Sequence, residues 1–147
     1  MPGHRPTTRA SVALTLAALL AASGCAGDGE TTTAGDGQFA MIQSEVFNQS
    51  CIQAACHDSA TRQGNLDLTA GTSYGQLVGV EPENSAARVA GLLRVEPDSD
   101  QNSYLLRKLT GDLAAGEGSP MPLGLARLAP VEIEMIRSWI LAGAPAD

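Results

Sequence analysis

The residues best suited to chemistry in this chain are two cysteines and a histidine within a short stretch, Cys51-Ile52-Gln53-Ala54-Ala55-Cys56-His57. The imidazole directly follows the second thiol. Two thiols can add across the two vinyl groups on one edge of a porphyrin, and a histidine immediately behind the second brings its ring to the iron from the same segment. The usual form of that motif has two residues between the cysteines; here there are four. The longer loop must bulge for both sulfurs to meet one edge. Two other chemistries use the same trio. A Cys51–Cys56 disulfide would form in an oxidising compartment and leave His57 idle on the surface. A metal held by two thiolates and one imidazole would need a fourth ligand.

Attachment of a haem through Cys51, Cys56 and His57 leaves the iron one axial position to fill. The chain has two histidines, and His4 lies in the leader described below, so methionine is the natural candidate. Met41 and Met135 fall on apolar faces of expected helices, where methionine is core filling. Met121 stands in a loop between Pro120 and Pro122, far along the chain from His57. A thioether paired with an imidazole is the electron-transfer arrangement that raises the potential, so Met121 is the expected second ligand. No catalytic carboxylate pair, nucleophile triad or phosphate loop appears, and Asp58 and Asp67 read as surface or turn residues. One-electron transfer without turnover of a substrate is the expected activity, so the chain does not read as an enzyme.

The elements that must position these groups are legible in the apolar periodicity. Phe39, Ile42, Val46 and Phe47 recur at helical spacing up to the Cys51 region. Leu66-Asp67-Leu68 alternates as a short extended segment. Thr72 or Ser73 caps a brief helix through Val78, residues 81–88 read as a loop, and residues 97–100 have turn chemistry. Asn102 or Ser103 then caps a helix bearing Tyr104, Leu105, Leu106 and Leu109, stopped by Gly111. Residues 116–124 form a Gly/Pro loop around Met121. The last helix starts at Pro130, carries Glu132 and Glu134 in its first turns and Ile133, Ile136, Trp139 and Ile140 along one face, and ends at Gly143. No sustained strand is expected, which makes the domain all-α with long loops.

Residues 1–24 read as a lipoprotein signal peptide: Arg5 and Arg9, an apolar run over residues 10–22, then Ala22-Ser23-Gly24-Cys25. That run is shorter than the roughly 20 residues a membrane span requires. These last four residues resemble a lipobox, with Ala22 where leucine is usual, so Cys25 is the expected lipid attachment and first mature residue. Residues 25–38, rich in Gly, Asp, Thr and Ala, read as a flexible tether, and residues 39–147 as the folded domain. The expected location is the cell envelope, anchored by lipid to a membrane and facing the periplasm or exterior. All sixteen acidic residues and only seven basic ones follow Cys25, a charge of −9 for the mature chain, which makes nucleic acid an unsuitable partner. Aromatic residues make up 3% of the chain, too few to fill a small core easily, a deficit that a disulfide, a metal or a bound cofactor commonly offsets.

The succession of Cys51 to His57, Gly64-Asn65-Leu66-Asp67-Leu68, Asn102-Ser103-Tyr104-Leu105, Met121-Pro122 and Trp139-Ile140 to Gly143-Ala144-Pro145 resembles the small cytochrome c domains of the planctomycete-type group, often found in exported lipoproteins. The resemblance covers nearly all of the chain after Phe39. It implies a cytochrome c-like fold with one covalent haem c between the N-terminal segment and the C-terminal helix, Cys51 and Cys56 as the linking thiols, and His57 and Met121 as the axial ligands. It also implies redox protein partners, and a Trp139 near the haem crevice. The chain departs from that pattern in its longer cysteine spacing and in Ala129, where a serine cap is expected, a loss of roughly 1 kcal/mol of helix stability. The rival reading from another class is a haemless lipoprotein, stapled by a Cys51–Cys56 disulfide, that acts as a binding module. Colour after haem maturation separates the two.

Overall fold

The computed structural model describes residues 37–147, together with Met1 and Gly3. The expected signal peptide, apart from Met1 and Gly3, the expected lipid attachment at Cys25 and the expected tether up to residue 36 lie outside the described residues. The chain divides into two units, Met1–Glu30 and Thr31–Asp147, and the fold is that of the second.

Its first helix, α1 (Gln38–Ile42), begins behind Gly37, whose φ of 77° only glycine adopts freely. The helix thus starts at the last residue of the expected tether. From Gln43 to Cys51 the same helix widens to π winding, and the Phe47 carbonyl accepts the Ile52 amide five residues on at 3.2 Å. A single 3₁₀ turn, Gln63–Asn65, follows the Cys/His segment. Then come α2 (Ser73–Leu77), α3 (Ser85–Val89), α4 (Tyr104–Thr110) and α5 (Pro130–Leu141). Among the described residues the only strand-like pairings are isolated bridges, such as Val78 with Val95 and Leu93 with Ser103. The domain is helical with long loops.

The helix over 85–89 replaces an expected loop. Its first turn is stabilised by Asn84, whose side-chain oxygen accepts from the Ala87 amide at 2.9 Å, a signal too short to carry apolar periodicity. Ser103 occupies the N-cap position of α4 without capping it. Its hydroxyl instead accepts from the Glu96 amide at 2.9 Å and donates to the Ser99 carbonyl at 2.7 Å, which pins the turn at 97–100. At α5, Ala129 offers no side-chain acceptor, but the Glu132 carboxylate accepts from the Ala129 amide at 2.6 Å. Only half of a capping box is present.

The core forms where α5 packs on α1 and α4. Phe39, Ile42, Val46 and Phe47 meet Ile136, Trp139 and Ile140, with Leu106 and Leu109 closing the side. Four of the five aromatic residues gather at this junction: Phe39 lies 5.1 Å from Trp139, 5.3 Å from Tyr74 and 6.2 Å from Phe47, centroid to centroid. The edge-to-face contacts of Phe39 with Tyr74 and Phe47 add about 0.5–1.5 kcal/mol each beyond burial. The polar ends are satisfied, since Trp139 Nε1 donates to the Pro145 carbonyl at 2.9 Å and Tyr74 Oη to Ala144 at 3.0 Å. These two bonds fasten the C-terminal tail. Met135 packs against the core as expected, whereas Met41 is 52% exposed and fills no core position.

Candidate functional site

The segment from Cys51 to Leu68 is shaped by main-chain bonds. The π-wound end of the first helix delivers Cys51; a turn follows in which the Cys56 amide donates to the Gln53 carbonyl at 2.9 Å, and the His57 amide closes back on the Cys51 carbonyl at 3.1 Å. Ala55, between the thiols, has a φ of 70°, a left-handed conformation that costs a residue with a Cβ about 1–2 kcal/mol. The four-residue spacing is thus accommodated as a bulge. Beyond it, the Leu68 amide donates to the His57 carbonyl at 2.8 Å and the Gln63 amide to the Cys56 carbonyl at 3.0 Å, which ties the extended Leu66-Asp67-Leu68 stretch beside the histidine.

Cys51 and His57 line a cavity of about 270 Å³. Leu66, Leu68 and Leu77 line it together with Leu105 and Leu109 of α4, and Met121 and Glu117 come from the loop after α4. Residues 64 positions apart in sequence, His57 and Met121, therefore share one concave site. Cys56 is not among its lining residues; it is half-buried, with Sγ 3.9 Å from the Ala54 carbonyl. Both cysteines are free thiols. The C-terminal helix contributes nothing to the cavity lining, and Trp139 stands fully buried against Phe39 instead of at the rim. The wall that faces the Cys/His segment is α4 with its following loop, because the apolar face of α5 is already occupied by α1.

The electrostatics of the site favour neutral, soft donors. Burial pushes the Cys51 thiol up to about 12, helped by the nearness of Cys56 and Glu132. A thiol held protonated at neutral pH is a poor nucleophile toward its neighbour and a poor thiolate ligand. His57 is pulled below its ordinary value, first by burial and further by Arg94 and Lys108, against the opposing pull of the Gln63 and Leu66 carbonyls. Its Nδ1 is buried and makes no hydrogen bond, which is uncommon for a polar atom in a folded interior. Among the described residues no three His, Cys, Asp or Glu side chains converge to hold a metal ion by themselves.

Comparison with family models, with curated proteins and with solved structures returns no match. The site has to be read from its own groups. Among the described residues no helix is long and apolar enough to cross a membrane.

Four polar residues of the site were not legible as such in the sequence. Arg94 is buried, takes part in no ion pair among the described residues, and donates to the carbonyls of Gln76 (2.8 Å), Gly64 (3.2 Å) and Asn65 (3.0 Å). Tyr104, Lys108 and Glu117 join α4 to the Met121 loop. Tyr104 and Lys108 sit at i, i+4 on one helix face, a spacing that predicts adjacency but not what the pair touches. Asp67 is likewise more than a surface acid: it is buried, accepts from the Thr69 amide at 3.0 Å and hydroxyl at 2.6 Å, and lies 3.4 Å from Arg62. Asp58 keeps its expected role, with Oδ1 accepting from the Thr61 amide in a turn.

Proposed function

We propose that this chain is a cell-envelope c-type cytochrome, anchored by lipid at Cys25, that carries one covalent haem c and passes single electrons between redox protein partners. The observation that carries the reading is the convergence of Cys51, His57 and Met121 on one apolar-walled cavity. His57 itself adds to it, since burial holds its pKa below the ordinary value and the neutral imidazole is the form that serves as a ligand. Cys51 and Cys56 would be the thioether-forming thiols, with the Ala55 bulge letting the two approach one porphyrin edge. Haem iron held between imidazole and thioether supplies reversible one-electron chemistry. The protein's part is to keep His57 deprotonated through burial and the nearby Arg94 and Lys108 charges, to line the site with Leu66, Leu68, Leu77, Leu105 and Leu109 so that water is kept out, and to hold Met121 at the cavity.

The test is expression of the full chain together with haem-maturation machinery. The denatured protein should retain its colour, and acid-acetone extraction should leave the haem on the polypeptide. Cys51→Ser and Cys56→Ser should each lose one thioether, seen as a red shift of the reduced absorption bands. A colourless product from working machinery, with a Cys51–Cys56 disulfide in its mass spectrum, refutes the proposal and favours the haemless binding module.

A further inference from the structure

The loop that carries Met121, residues 114–121, contains Gly116 and Gly118 and runs through Ser119-Pro120 to Met121, a composition with little to order it. It is nevertheless bound at many points, and almost all of them lead to one face of α4. Tyr104 Oη donates to the Glu117 carbonyl. Lys108 Nζ donates to the carbonyls of Glu117 at 3.1 Å and Ser119 at 2.7 Å, and the Lys108 carbonyl accepts the Met121 amide at 2.8 Å. The Glu117 carboxylate turns inward, 2% exposed, where its Oε2 meets Arg107 Nη2 at 3.0 Å and accepts from the Ala114 amide at 3.0 Å. Gly118 permits this approach: its φ is +83°, and a Cβ there would lie 3.1 Å from Lys108 Nζ.

A buried carboxylate in a surface loop is costly unless it is paired, and here the pair joins the loop to the helix four residues before Met121. We infer that Glu117, with Arg107 and Tyr104 of α4, is a positioning residue that fixes the loop so that the Met121 thioether is presented to the cavity. The inference rests on the proposed role of Met121 as an axial ligand. A thioether is a neutral, weakly held ligand, and water or an added base competes for its position. An ordered loop removes the entropy that a mobile one would lose on each ligation. The clamp therefore sets how firmly the ligand stays, while the covalent link and His57 lie on the other wall.

Glu117→Gln keeps the shape and the acceptor for Ala114 but removes the charge that compensates Arg107, whose Nε is already buried without a partner. Oxidised, haem-loaded Glu117→Gln should bind added imidazole about tenfold more tightly than the parent, the size of one lost charge-assisted bond. It should also lose its sulfur-to-iron charge-transfer band at a lower temperature. Tyr104→Phe, which deletes a single hydroxyl and leaves the core intact, should move imidazole affinity in the same direction by a smaller factor. Ile140→Val, a comparable destabilisation away from the loop, should leave it unchanged. Imidazole affinity within twofold of the parent in both Glu117→Gln and Tyr104→Phe, or an equal rise in Ile140→Val, overturns the inference. Should Glu117→Gln not fold, Tyr104→Phe against Ile140→Val decides the matter. A parent that carries haem but never shows the band removes Met121 as a ligand and the clamp with it, and a parent that takes up no haem at all overturns the function proposed above.

Discussion

Arg94→Met tests how the wall beside His57 is held. Arg94 is 6% exposed, and burial draws its pKa below the ordinary arginine value. It is satisfied by the Gln76, Gly64 and Asn65 carbonyls and by Gln76 Oε1 at 3.3 Å. Those bonds join the 3₁₀ turn after His57 to the end of α2. Methionine keeps much of the stem's volume and gives up every donor. Each of the three backbone carbonyls then loses its partner at about 1 kcal/mol, a figure reduced from the full value for a charged donor because the buried cation no longer has to be desolvated. The sum, about 3 kcal/mol, lowers Tm by roughly 12 °C or more in a domain of this size. Trp139, the one tryptophan and fully buried, supplies a fluorescence signal for urea unfolding; the midpoint should fall with m unchanged. Arg94→Lys keeps the charge but has one nitrogen with which to serve the carbonyls, so it should fall between parent and methionine. A loss under about 1 kcal/mol in Arg94→Met, or a lysine variant as unstable as the methionine one, refutes the reasoning. A second readout is independent of stability: the Arg94 charge helps to hold the His57 pKa down, so that pKa should rise in Arg94→Met when followed by NMR in the haem-free chain.

The lowered His57 pKa makes a further prediction for the haem-free chain. Below the unfolded value of about 6.5 the unfolded state binds a proton that the folded state resists. Stability should fall as pH drops from 7 through that value toward the folded pKa, and His57→Gln should flatten the urea midpoint across the same window; an unchanged slope in that variant is the contrary result. Met121→Leu should abolish the sulfur-to-iron band, lower the potential and admit cyanide while costing less than about 1.5 kcal/mol of stability, whereas Met41→Leu and Met135→Leu keep the band. Its persistence in Met121→Leu would move the assignment to another residue. Cys25→Ser should shift the protein from the membrane to the soluble fraction, and unaltered retention together with an absence of fatty acid on the parent would exclude the anchor.

How much was legible follows from which signals are local. The helices over 38–51, 104–110 and 130–141 were readable because their apolar residues recur with the helical period and their ends carry Gly111, Pro130 and Gly143. The brief helix at 73–77 was readable from its apolar face, although Thr72 does not cap it and the Ser73 hydroxyl turns to the Gln43 side chain in the interior. The five-residue helix at 85–89 was not readable, since one turn has no period and only Asn84 marks it. Among the cavity residues, His57 and Met121 could be singled out from the sequence because an imidazole directly behind a cysteine and a thioether between two prolines are chemically distinct. Arg94, Lys108 and Glu117 were not, because an arginine, a lysine or a glutamate reads as solvated surface until tertiary packing buries it. Placing the cavity against α5 failed for a related reason: an apolar helix face announces that it will be covered, but not by what.

The division of apolar material between core and cavity has a physical consequence. Phe39, Phe47, Tyr74 and Trp139 pack on one another away from the cavity, while the cavity is walled by leucines that face empty space as well as core. The aromatic junction can therefore hold α1 and α5 together without a cofactor. The leucine walls would gain further contacts from a large apolar disc between them, since a void forfeits the dispersion energy of one side. On this basis the haem-free chain should stay folded around Trp139 and be loosest along Leu66, Leu105, Leu109 and the Met121 loop. Amide exchange should then slow selectively in those segments on haem loading, while protection near Phe47 and Ile140 changes little. Uniform protection before and after loading would mean that the cavity walls are already self-supporting, and that the shortage of large side chains is met by the protein alone.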